Sequence, residues 1–254
     1  MKKCYTYDDV NIIPKYSDIK SRSTIELRTR FTKNINIDIP IISAPMDTIT
    51  GFDMAFEMLK QGGVGVIHRF MSIEEQCDII GKINFYMDDY DGDDVPYSIC
   101  AAIGVSGDWF ERAQELALKG ADVLLIDVAH GHHQRVGESI EKIKNDIPRV
   151  EVIAGNVATG EAVRYLCEKG ADAIRVGIGN GSLCETRIRT GVGVPQVSAL
   201  IECNSIADDF DVPIIADGGI RNIGDVCKGL ACGADTVMLG SLLSGTKETE
   251  GTIV

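Results

Sequence analysis

The sequence predicts a single (β/α)8 barrel spanning residues 1–254, and three observations carry that prediction. The chain has 254 residues, the usual size of such a barrel and long for most other single domains. Eight short runs rich in Val and Ile alternate with stretches whose apolar residues recur at helical spacing, the pattern of βα units around a parallel sheet. A local unit also recurs, as Lys119-Gly120-Ala121-Asp122, Lys169-Gly170-Ala171-Asp172 and Cys232-Gly233-Ala234-Asp235. Each copy closes a helical stretch and opens an apolar run.

The eight runs are 39–42, 64–67, 98–103, 123–126, 151–154, 173–176, 212–216 and 236–239. Each is too short for a helix and apolar enough to be buried on both faces. Segments between them, such as Trp109–Lys119 and Gly160–Lys169, read as helices. The glycine of the repeated unit suits the left-handed residue that ends a helix. Eight strands could instead lie open as a doubly wound sheet, but no G-x-G-x-x-G follows the first run. Two stretches break the rhythm. Residues 87–97 (MDDYDGDDVPY) are acidic, poor in helix formers and expected as a surface loop. Residues 177–195 form a glycine-rich connection far longer than an ordinary βα loop, at the carboxyl end of the sixth strand, where barrels place their active sites. No second domain and no linker interrupt the pattern.

Composition limits the function. Hydrophobic residues make up 44% and charged residues 25%, as in a soluble globular protein. No run approaches the ~20 apolar residues of a membrane span, and MKKCYTYDDVNIIP lacks the apolar core of a signal peptide. The expectation is a cytoplasmic protein with no membrane partner. A formal net charge of −13 argues against nucleic acid, yet leaves room for one small phosphate held by backbone amides and a single arginine. The eight cysteines form no C-x-x-C pair, and their scatter suits neither a zinc site nor a disulfide framework. Seven of them are expected as small buried hydrophobes.

The eighth, Cys184, lies in GIGNGSLCETRIRTGVGVPQ (177–196). Glycines at 177, 179 and 181 let the backbone turn amides and carbonyls toward a ligand or ion. A thiolate at a barrel mouth can act as a nucleophile; the alternative is a flexible loop with an incidental cysteine. Other strand ends carry polar groups. Asp127 is followed by His130, His132 and His133, which could ligate a metal, although no carboxylate pattern completes a familiar triad. Asp217-Gly218-Gly219 and Gly240-Ser241 end the seventh and eighth strands. There, backbone amides suit a phosphate and a carboxylate suits ribose hydroxyls. His68, after the second strand, could equally be a packed, hydrogen-bonded residue.

Taken together these segments resemble the IMP dehydrogenase/GMP reductase family. The 177–196 loop is similar to its catalytic cysteine loop. The likeness continues through SAPMDTIT (43–50), GGVGVIHRFMSIEEQ (62–76), VLLIDVAHGHH (123–133), AGNVAT (154–159), IIADGGIR (214–221) and VMLGSLLSGT (237–246). The resemblance implies that Cys184 attacks purine C2 and that Thr186 helps activate water or ammonia. It implies phosphate contacts from Ser182, Gly218, Gly219, Gly240 and Ser241, and a ribose contact from Asp217. Met46 and Arg175 would lie against the nucleotide. Asp127 and Asn156 would serve the NAD (or NADP) site, and the carbonyls of Gly179, Gly181 and Cys184 would hold a potassium ion. A homo-oligomer, specifically a tetramer, is implied as well.

Three residues depart from the family pattern. Asn180 replaces a proline or serine, Arg69 a lysine, and Glu185 a threonine or isoleucine. A carboxylate beside Cys184 is expected to raise the thiol pKa unless Arg187 or Arg189 offsets it. The sequence stops at Val254, where the resemblance implies an eighth helix and a mobile flap that activates water. The eighth helix and flap are therefore expected to be missing, with hydrolysis stalling unless a second chain supplies the flap. The motifs SAPMDTIT, HRFMSIEEQ and GVGVPQ favour an IMP dehydrogenase. KSRSTIEL, FDMA and SALIEC favour a GMP reductase, as does the direct path from the second strand to the third without a CBS insertion. The dehydrogenase is preferred. Outside the family stand a non-catalytic nucleotide-binding barrel and a flavin-dependent barrel oxidoreductase.

Overall fold

The computed structural model describes residues 3–88, 97–181 and 186–250. After an arm with two single-turn 3-10 helices, Tyr7–Asp9 and Arg22–Thr24, the chain forms a small antiparallel hairpin, β1 (Thr29–Arg30) and β2 (Asn36–Ile37). Eight parallel strands follow: β3 (Ile41–Ser43), β4 (Val64–Ile67), β5 (Cys100–Ile103), β6 (Val123–Asp127), β7 (Glu151–Val157), β8 (Ala173–Val176), β9 (Ile214–Asp217) and β10 (Thr236–Leu239). They close into one barrel in chain order, with β10 pairing back onto β3. This is a (β/α)8 barrel.

Between the strands lie α1 (Phe52–Lys60), α2 (Ile73–Asp88), α3 (Trp109–Lys119), α4 (Gln134–Asp146), α5 (Gly160–Glu168), α6 (Thr186–Thr190), α7 (Gln196–Ala207) and α8 (Ile223–Ala231). α4 shows why these segments are helical. Val136, Ile140 and Ile143 bury one face at helical spacing, and His133 Nδ1 accepts the Arg135 N–H at the start. That cap gives His133 a structural task. From residue 240 to Glu250, β10 is followed by turns.

Three strands, β4, β8 and β10, match their apolar runs residue for residue, and the other five differ at an end by one to three residues, in two cases because of a proline. Pro40 has no N–H to give, and the amides of Asp38 and Ile39 both donate to the Gly62 carbonyl, so the β3 ladder begins only at Ile41. Pro213 likewise delays β9 to Ile214. Of the expected loop 87–97, Met87 and Asp88 belong to α2, while residues 89–96 lie outside the described residues. The loop 177–195 contains the short α6.

Side chains divide into two cores. Alternate strand residues, among them Ile42, Val64, Val66, Cys100, Leu125, Ile153 and Met238, fill the barrel; the others pack against the helices. Phe31 and Ile37 of the hairpin join the inner core. Lys33 N donates to the Asp172 carbonyl and Thr29 Oγ1 to the Asp235 carbonyl, both just before strand starts. The hairpin thus closes the amino-terminal end of the barrel and leaves the carboxyl end open for a site.

Candidate active site at the carboxyl mouth

A cavity of about 340 Å3 opens at the carboxyl ends of the strands. Of the fourteen candidate site residues, twelve line it: Met46, Asp127, Asn156, Arg175, Gly179, Gly181, Thr186, Asp217, Gly218, Gly219, Gly240 and Ser241. The other two, Ser182 and Cys184, lie outside the described residues, as does Glu185. Gly181 and Thr186, which bracket them in sequence, both face the cavity.

Buried charges organise this mouth. Arg175 on β8 is 7% exposed. It donates from Nη1 to Asp127 Oδ1 at 2.8 Å and from Nε to Asp217 Oδ2 at 3.0 Å. Burial opposes its charge, but Asp217 and Asp127 outweigh burial and hold its pKa above the ordinary arginine value. Asn156 Nδ2 donates to Asp217 Oδ2 at 2.7 Å and to the Gly177 carbonyl at 2.8 Å. Four strands therefore fix two carboxylates before any ligand arrives.

The glycine-rich loop is tied to the same strands. Gly177 has a φ of +154°, and a Cβ on it would lie 1.9 Å from the Asp217 carbonyl oxygen, so the end of β8 approaches β9 only as glycine. Asn180 Nδ2 donates to the Asp217 carbonyl at 3.0 Å and the Gly218 carbonyl at 3.3 Å, and also to Gln196 Oε1. Gln196 Nε2 in turn donates to the Val176 carbonyl at 2.8 Å. Asn180 and Gln196 were not among the candidates. No periodicity marks them, because their partners are backbone carbonyls of distant strands.

His68 and most of the described cysteines are packed into the structure. His68 is buried, its Nδ1 accepts the Phe70 N–H at 3.2 Å, and burial lowers its pKa. Among the described residues, no three His, Cys, Asp or Glu side chains are grouped to hold a metal. Cys77, Cys100, Cys167 and Cys203 are buried. Burial pushes the Cys100 thiol far up, that of Cys167 to about 11 and that of Cys203 to about 12. The expectation of burial fails at Cys227, which is exposed on the outer face of α8, and holds only partly at Cys4 and Cys232.

A closed parallel barrel with a glycine-lined cavity at its carboxyl mouth defines a (β/α)8 protein whose cavity lies where such barrels place their sites. The family described as "IMP dehydrogenase / GMP reductase domain" matches residues 4–254. The chain is 41% identical to inosine-5'-monophosphate dehydrogenase of Cryptosporidium parvum over 283 residues, covering 98% of this chain and 70% of that one. It is 40% identical to the enzyme of the same name from Borreliella burgdorferi, covering 98% and 71%. It is 31% identical to a GMP reductase of Leishmania major, covering 98% and 76%. The chain belongs to the IMP dehydrogenase/GMP reductase family, a family of oxidoreductases.

Proposed function

We propose that this chain is an IMP dehydrogenase, converting IMP, NAD and water to XMP and NADH. One observation carries the purine-nucleotide reading: Asp217, the glycine-rich ends of β9 and β10, Thr186 and Asp127 all face a single cavity. The preference for the dehydrogenase follows the 41% and 40% identities to dehydrogenases against 31% to a reductase. The backbone at Gly218, Gly219, Gly240 and Ser241, with Ser182, would take the 5′-phosphate, and Asp217 the ribose hydroxyls. Met46 and Arg175 would bound the base. The Cys184 thiolate adds to C2 of IMP, and the C2 hydride then departs, leaving a thioimidate. Water, oriented with help from Thr186, hydrolyses that bond to give XMP and the free thiol.

The residues present fit a dinucleotide cofactor. Asp127 and Asn156 line the cavity beside the backbone of Val128 and Ala129, offering acceptors to the nicotinamide ribose. NAD bound there supplies the hydride acceptor. Potassium would be held by the carbonyls of Gly179, Gly181 and Cys184; those of Gly179 and Gly181 accept no backbone hydrogen bond among the described residues. We further propose a cytoplasmic homo-oligomer, most simply a tetramer. Among the described residues no helix is long and apolar enough to cross a membrane.

The second reading is GMP reductase, which expels ammonia from GMP with hydride from NADPH. It is favoured by the Leishmania relatives, at 31% identity against 32–41% for the dehydrogenases. Incubation with IMP plus NAD, and separately with GMP plus NADPH, decides by absorbance at the reduced nicotinamide band. A rise in the first mixture supports the dehydrogenase; a fall in the second alone supports the reductase. No change in either, with IMP still bound, would leave a nucleotide-binding barrel without catalysis.

A further inference from the structure

We infer that Arg69 is the anion anchor of the cofactor site, binding the diphosphate of a dinucleotide whose nicotinamide ribose meets Asp127. The inference rests on the oxidoreductase reading above and assigns it a further binding residue. Arg69 follows β4 by two positions. Its Nε lies 3.4 Å from Asp127 Oδ2, an ion pair without hydrogen-bond alignment, and that buried nitrogen has no hydrogen-bond partner. The guanidinium carbon sits 5.0 Å from the centroid of the Phe70 ring. Nη1 passes over Gly104 after β5, 3.8 Å from where a Cβ on that glycine would stand.

The guanidinium is therefore held by a carboxylate, a ring face and a strand end, while 33% of the side chain remains exposed. Among the described residues it donates no hydrogen bond; Nε is buried against Asp127, and the outer Nη groups are left for a ligand. Charge alternates along the mouth as Arg69, Asp127, Arg175 and Asp217, and Arg69 is the cationic outer end. Arg175 is enclosed between two carboxylates and cannot turn outward. Arg69 can take a doubly charged oxyanion in fork geometry. The glycine-rich ends proposed for the substrate phosphate lie on β9 and β10, away from the β4–β6 side. An anion at Arg69 would therefore belong to the second ligand.

Calorimetric titration of the full chain with ADP-ribose, nicotinamide riboside and IMP tests the inference without turnover. In Arg69→Ala, ADP-ribose affinity is expected to fall roughly 10- to 100-fold, as for a lost charged hydrogen-bonding pair. Nicotinamide riboside, which has no phosphate, should change less than about threefold, and Arg69→Lys should recover part of the loss. Equal weakening of both ligands would mean that Arg69 acts only by orienting Asp127, and would overturn the inference. So would unchanged ADP-ribose binding, or a loss confined to ADP-ribose carrying a 2′-phosphate. If the unaltered chain binds IMP and ADP-ribose while Arg69→Ala matches it, only the anchor falls. If the unaltered chain binds neither, the oxidoreductase reading falls with it.

Discussion

Arg175, 7% exposed, bridges two carboxylates at the ends of β6 and β9. Removing one partner of a buried ionic group leaves uncompensated charge rather than a simple gap. Arg175→Met, of similar length but apolar, is expected to cost about 3 kcal/mol, lowering Tm by roughly 6–12 °C. Adding Asp217→Asn should restore part of that loss, because one of the two stranded carboxylates is then neutral. Additive loss in the double variant, measured by calorimetry, would show that the pair does not couple. Thiol chemistry belongs to the same scale. Burial suppresses the thiolates of Cys100, Cys167 and Cys203, so they are poor nucleophiles at neutral pH. Acid quenching during turnover of IMP and NAD should therefore trap a nucleotide adduct that peptide mapping places on Cys184. Cys184→Ala should abolish it and Cys227→Ala should leave it intact. An adduct persisting in Cys184→Ala would refute the nucleophile assignment.

At the scale of elements, the repeated Gly-Ala-Asp unit does more than end helices. Gly120, Gly170 and Gly233 have φ values of +108°, +96° and +103°, the left-handed region expected of them. Each following aspartate then makes a reciprocal pair with the preceding strand. Asp122 N donates to the Ile99 carbonyl while Asp122 Oδ2 accepts the Ile99 N–H. Asp172 does the same with Val152, and Asp235 with Ile214. Burial raises the Asp122 carboxyl above its usual range, although the Ile99 N–H and Arg149 pull it down. A folded pKa above the unfolded one contributes stability below the unfolded value and loses it as pH rises through the folded value. Asp122→Asn keeps an oxygen for the Ile99 N–H and removes the charge. Its Tm should exceed the parent's by about 1–3 °C at pH 7, and the gain should vanish below about pH 4. A shift independent of pH would disprove the burial argument. Strands were legible because they are buried on both faces, leaving uninterrupted Val and Ile runs. The β1–β2 hairpin was not, because three of its four strand residues are polar and it is held by distant groups: Phe31 and Ile37 enter the barrel core, and Lys33 and Thr29 donate to the Asp172 and Asp235 carbonyls. The mouth divides likewise. Asp127, Asp217 and Gly240 could be found by their position at strand ends. The Arg69–Asp127 pair and the Asn180–Gln196 tie join residues with no shared pattern, so only closure of the barrel brings them together.

For the whole molecule, the proposed homo-oligomer has two candidate surfaces of different kinds. One is the arm before the hairpin, where residues 10–21 form no regular element and Ile13, Tyr16 and Ile19 are 79%, 94% and 59% exposed. The other is an aromatic patch on α1 and α2. There Phe52 and Phe56 stack at 5.7 Å, Tyr86 packs against both, and Phe85 is 68% exposed. Exposed apolar groups clustered in this way are the kind of surface the proposed oligomer would cover. An arm that fits a patch elsewhere on the next copy makes a heterologous contact, which closes into a ring when the rotation per copy allows. Replacing either surface should then dissociate the assembly: Ile13→Glu with Tyr16→Glu in one variant, Phe85→Glu with Tyr86→Glu in another. Each variant alone should sediment as a monomer, because every interface in its ring has lost one half. Mixed together, the arm variant still offers a sound patch and the patch variant a sound arm, so one intact contact can form per pair. Sedimentation of the equimolar mixture should show a dimer that neither variant makes alone. Two-fold pairing of like surfaces predicts the opposite, since a mixed pair would always bring one damaged face against a sound one. A mixture that stays monomeric would rule out the arm-to-patch ring.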